Sequence, residues 1–267
     1  DWIDTEDQLS DRSIALNKER FNGKSIYFQL YRNTQKWKSY LTYKDISPNF
    51  QADVGFVVKN NRRWATLYHT YQVFPNKPAI QFFSIGTKAD VLYTYQDYLK
   101  TISIDGIISL KTLFNTEINY TYDWDAFKNF LGRDYKNLAS NRFEIQNNPS
   151  ESFSMNINLT FGRDLAYNEE DPEIGKEFNF FIMPGFQVSN KLKISPSIRY
   201  ARLKKLDEDS YYYNGSISRF SIRYQFNNFF NVRLISEYNS FTERFFIQPL
   251  VQWNPNPSTV FYIGGNQ

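Results

Sequence analysis

A single histidine, His69, limits the chemistry open to this 267-residue chain. Ser–His or His–Asp catalysis would have to use it, because a general base must reach the proton it abstracts. His69 shares strand parity with Ala65, Leu67, Tyr71 and Val73, while Thr66, Thr70 and Gln72 fall on the other face. That parity assigns the imidazole to an apolar, lipid-facing or interfacial side, out of reach of a watered lumen. A phospholipase working from the lipid side is the exception. Cysteine is absent, which excludes disulfide frameworks and cysteine-based zinc or redox sites. Acidic clusters at Asn168-Glu169-Glu170-Asp171-Pro172-Glu173 and Asp207-Glu208-Asp209 offer hard oxygen ligands for Ca²⁺. Neither has the spacing of a calcium loop, so both read as solvated loops, and no metal or cofactor is expected. Gly55, Gly264 and Gly265 are isolated turn or bulge glycines, not a phosphate cradle. No catalytic constellation emerges.

A second set of side chains has a common address. Glu117, Asn119, Asp123, Asn156, Asn158, Lys193, Arg199, Arg219, Arg223, Arg233 and Glu237 each alternate with apolar neighbours. On strands they form one polar wall. Two readings compete for it. An Arg-rich path would favour anionic or sugar-like solutes. A network of ion pairs would fill and brace a lumen, and a charged interior accompanies both cases.

The elements that must carry this wall are strands. In Phe153-Ser154-Met155-Asn156-Ile157-Asn158-Leu159-Thr160-Phe161, apolar and polar residues alternate without a break. Residues 117–124 and 192–201 do the same. Successive strand side chains point to opposite faces, so each segment has one greasy and one wet side. About fourteen strands follow, starting near Ser25, Lys36, Arg63, Ile80, Leu99, Thr116, Asn141, Ser152, Glu177, Leu192, Tyr212, Phe230, Arg244 and Val260.

Composition and connections point to a membrane. Mean hydropathy is −0.58, yet aromatic residues make up 19% of the chain. A barrel that shows lipid only every second residue, with aromatic girdles, reconciles the two. No stretch has the roughly 18 apolar residues of a membrane helix. Every second connection is short, as at Arg32 to Gln35, Pro75 to Pro78, Thr112 to Asn115, Asn147 to Glu151 and Ser189-Asn190. The intervening ones tend to be longer and charged: Lys44 to Asn61, Asp125 to Ser140, Gly162 to Lys176 and Leu203 to Asp209. Short periplasmic turns with longer external loops are the outer-membrane layout. The expected architecture is therefore an all-β, antiparallel, transmembrane outer-membrane β-barrel over 25–267. Residues 1–24 read as an extracellular loop. Strand parity predicts a barrel incomplete at both ends, with about sixteen strands or more in the full protein. Trp37, Trp64, Trp124 and Trp253 are expected at the membrane interfaces. Pro184, Pro196 and Pro249 interrupt strands and are expected to mark bulges.

Asp45-Ile46-Ser47-Pro48-Asn49-Phe50-Gln51-Ala52-Asp53-Val54-Gly55-Phe56-Val57 carries a family likeness. So do residues 239–253, from Asn239-Ser240-Phe241-Thr242-Glu243 to Gln252-Trp253, and Phe261-Tyr262-Ile263-Gly264-Gly265-Asn266. These stretches resemble large Bacteroidota outer-membrane proteins that join a domain similar to carbohydrate-binding module family 9 to a C-terminal region of unknown function. The resemblance covers nearly all of this chain, as the later part of that region, and identifies no chemistry. It implies an anchor or conduit for a glycan-handling protein in the bacterial outer membrane. Alternatives are a plugged subunit of a larger secretion or nutrient-uptake assembly and, least favoured, a membrane-associated hydrolase. The expected partners are outer-membrane lipid and lipopolysaccharide, glycans through a domain outside this chain, and other outer-membrane proteins. Interspersed charges with a net of only +3 leave no nucleic-acid footprint.

Overall fold

The computed structural model describes residues 23–50, 59–75, 77, 79–167 and 169–266. These residues form fourteen strands and no helix: β1 (Ser25–Asn33), β2 (Trp37–Ile46), β3 (Arg62–Val73), β4 (Ile80–Tyr93), β5 (Leu99–Thr112), β6 (Thr116–Phe130), β7 (Arg133–Ser150), β8 (Phe153–Leu165), β9 (Ile174–Gln187), β10 (Leu192–Lys205), β11 (Tyr211–Gln225), β12 (Phe230–Asn239), β13 (Arg244–Asn256) and β14 (Thr259–Gly264). They form one sheet in which sequence order is sheet order, β1 to β14. Among the described residues no ladder joins β14 back to β1. The all-β antiparallel expectation holds, and thirteen strands begin within three residues of their expected starts.

The exception is instructive. Asp125 to Ser140, expected as an external loop, is instead a tall hairpin. β6 runs on to Phe130, β7 begins at Arg133, and Leu131 (φ 49°) and Gly132 (φ 76°) make the turn. Positive φ at both central residues matches the right-handed twist of the flanking strands. A polar contact crosses the hairpin, Asn129 Nδ2 to Asp134 Oδ1 at 2.8 Å, and along β6 Lys128 Nζ lies 3.2 Å from Asp125. Such side chains interrupt apolar alternation, so the pattern there looks like a loop.

The prolines correct a second expectation, because none marks a bulge. Register continues through Pro184 against Met155, Pro196 against Phe220 and Pro249 against Leu234. Between β9 and β10 the ladder lapses from Ser195 to Ser197 and resumes in the same register, which sets Pro196 across from Pro184. Two residues without N–H donors thus share one gap. The register shifts at Asn147/Ser150, Leu203/Lys204 and Trp253/Asn256 involve none of them.

Contacts divide the chain into two units. The first takes in β1 to β3, with residues 82–108 and 121–139. Its exposed face carries Leu30, Leu41 and Leu67, opposite one another in register. The other face covers Thr66, Thr70, Gln72 and Ser84, each under 8% exposed. The second takes in residues 75–81, 109–120 and everything from Ser140 onward. One of its cross-strand rows runs Ile145, Ile157, Ile182, Ile198, each directly opposite the next. The expected loop at 1–24 lies outside the described residues except for Gly23 and Lys24, as do 51–58 of the β2–β3 connection.

Candidate functional site

The second unit carries most of the expected polar wall. Asn158 lies opposite Phe181, which lies opposite Arg199, whose guanidinium sits 5.1 Å from the Phe181 ring centre. Asn156 faces Met183 across the same pair of strands. Ser197, Arg219 and Glu237 form the next row, and Arg219 Nε donates to Glu237 Oε2 at 2.7 Å. Lys193, Arg223 and Arg233 form another, each directly opposite the next. Near the base of β6, Asn119 Nδ2 donates to Glu117 Oε1 at 3.2 Å. Period two on β6 keeps Asp123 on the same strand face as Asn119, but Asp123 belongs to the first unit.

The first unit holds a charged cluster that the pattern did not single out. Lys88 forms an ion pair with Asp90 and lies 3.5 Å from Asp105. Asp90 Oδ1 also accepts from Trp64 Nε1 at 2.9 Å and from Thr66 Oγ1 at 2.5 Å. Trp64, expected at a membrane interface, is therefore on the polar face, because its indole N–H finds a carboxylate there. The available signal was slight. Lys88 and Asp90 alternate with Thr87, Ala89 and Val91, and Asp105 alternates with Ile104 and Gly106.

His69 lies on the exposed face, as its parity predicts, with Leu67. Ser39 is directly opposite it in register, and Ser39 Oγ lies 2.7 Å from His69 Nδ1. The imidazole stacks on Trp37 at 5.0 Å between ring centres. Among the described residues no carboxylate contacts His69, so a serine–histidine pair is present without the third group that orients a general base.

Three of the loop carboxylates, Glu173, Glu208 and Asp209, have protein partners. Glu208 accepts from Ser210 and Lys205, which hold its carboxyl below the ordinary range. Asp209 pairs with Lys204 at 2.5 Å, with the same effect. Glu173 accepts from the Tyr212 hydroxyl, and Asn168 of that acidic cluster lies outside the described residues. Among the described residues no three His, Cys, Asp or Glu side chains come together to hold a metal.

Comparisons with family models, with curated proteins and with solved structures found no match to this chain.

Proposed function

We propose that this chain forms the wall of a bacterial outer-membrane β-barrel acting as an anchor or polar conduit for a glycan-handling protein. One observation carries the membrane part: burial runs opposite to that of a water-facing sheet. An antiparallel sheet in water covers its apolar side and wets the polar one. Here Thr66, Thr70 and Gln72 are covered while Leu67, on the same strand, is 52% exposed. Rows of exposed Leu and Ile cost about 25 cal/mol per Å² in water and nothing comparable in hydrocarbon. The polar wall supports a watered interior. The glycan-handling part rests on the sequence resemblance alone.

A plugged, structural barrel is the second reading, favoured by the Arg219–Glu237 and Lys88–Asp105 pairs, which brace strand to strand. A membrane-associated hydrolase has the Ser39–His69 contact in its favour and lacks an orienting acid.

The test is insertion of the refolded chain into planar bilayers. Stepwise ion conductance supports the conduit. Insertion without conductance supports the braced barrel. A chain that stays monomeric and dissolved without detergent, and does not enter bilayers, overturns the membrane reading.

A further inference from the structure

Three cations stand in one row on β10, β11 and β12 with no carboxylate among them. Lys193 is directly opposite Arg223, and Arg223 is directly opposite Arg233. Like charges in directly opposed positions destabilise a sheet, so a sequence gains nothing in folding from this arrangement. None of the three forms an ion pair among the described residues; the nearest acid along β12 on this face, Glu237, is held by Arg219. The flanking residues on the same face carry no acid: Ser195 on β10, Ser221 and Gln225 on β11, Asn231 and Ile235 on β12. Arg233 Nε is shielded from solvent and has no hydrogen-bond acceptor. A covered, unpartnered donor on a charged group is costly unless something fills the place. A cavity of about 300 Å³ opens over it, lined by Arg223, Arg233, Gln225, Asn231 and Gln252 among others.

We propose that this row is a binding site for a phosphate-bearing solute. A guanidinium presents paired donors that fit the oxygens of a phosphate, and such charge-assisted bonds are about twice as strong as neutral ones. A lone carboxylate would neutralise one cation of three. A phosphate ester or a pyrophosphate brings two or more charges and enough acceptors to span neighbouring strands, which lie about 4.8 Å apart. Lys193 flanks the cavity beside Arg223 and supplies a third charge without fork geometry. The amides of Gln225, Asn231 and Gln252 suit the ester or hydroxyl groups that such a solute carries. The proposal deepens the conduit reading and rests on it for one point, that the phosphate comes from a dissolved solute and not from a lipid headgroup.

The experiment is calorimetric titration of inorganic pyrophosphate into the refolded full chain in a neutral detergent at low salt. Wild type is expected to bind. The Arg223→Gln/Arg233→Gln double variant should lose at least tenfold in affinity, Arg223→Lys/Arg233→Lys should fall between, and Arg199→Gln should match wild type. No binding by wild type, or an equal loss in Arg199→Gln and in the double variant, overturns the site. Competition by phosphatidylglycerol mixed into the micelles would assign the phosphate to lipid and overturn the solute origin. Bilayer insertion of the same preparations keeps the two readings apart. Binding without insertion leaves the site and removes the barrel, whereas insertion with no response to pyrophosphate removes the site alone.

Discussion

The polar faces of β3–β5 and of β10–β12 are built from the same alternation and end in opposite electrostatic states. On β4 and β5 the single cation Lys88 lies between two acids, Asp90 and Asp105, and Trp64 and Thr66 complete the shell of Asp90. Charge there is spent within the wall. On β10–β12, Lys193, Arg223 and Arg233 face one another, while Arg219, two rows along the same face, has an acid. The difference teaches that a polar lining need not have a single purpose. A cluster of opposite charges stiffens the strands it spans, and a row of like charges is left for something that arrives from outside.

The comparison presumes that both polar faces are the watered ones. Ile198 tests this most severely, since it lies on the opposite face of β10 from Arg199 in the row Ile145, Ile157, Ile182, Ile198. In a bilayer Ile198→Arg should cost about 2–4 kcal/mol, read as a lower urea midpoint of the lipid-reconstituted protein, as for a cation on a barrel's lipid face. A change within about 0.5 kcal/mol, the usual size for a water-facing surface site, would reverse the assignment of faces. The next effect in size belongs to the Lys88 cluster. Lys88→Met strips Asp90 and Asp105 of their shared cation and should lower stability by about 2 kcal/mol, the scale of a hydrogen bond to a charged group. A midpoint equal to wild type would mean that the cluster braces nothing. The smallest change is expected from Arg223→Glu, which converts the unbalanced row into one resembling the Lys88 cluster. It should raise stability by roughly 0.5 kcal/mol through two cross-strand pairs of opposite sign. Loss of stability instead would mean that the three cations are already compensated.

Much of the fold was legible because alternation is a local property. From Phe153 to Phe161 each residue declares its face by its own polarity, and the start of β8 follows within one residue. The same rule located Arg219 and Glu237 on one side, and the structure pairs them. Legibility failed where local polarity stopped tracking the face. Asp125, Lys128, Asn129 and Asp134 are strand residues paired polar to polar, so no apolar stripe announced them. Trp64 misled because an indole is both apolar and a donor, and only the carboxylate across the strand pair decided which property counted. Pro184 and Pro196 were each seen as a defect, while their opposition depends on the β9–β10 register and lies beyond any single segment.

The sequence by itself determined the strand count, the antiparallel order and which side chains share a face, because period two is written into the chain residue by residue. Only the tertiary structure decided which charges meet. Register sets Arg223 between two other cations, and the pairing of β4 with β5 brings Asp105 to the Lys88 that already meets Asp90 along its own strand. Those outcomes depend on how far one strand slides along its neighbour. A shift of two residues would preserve every face and every alternation while changing every partner.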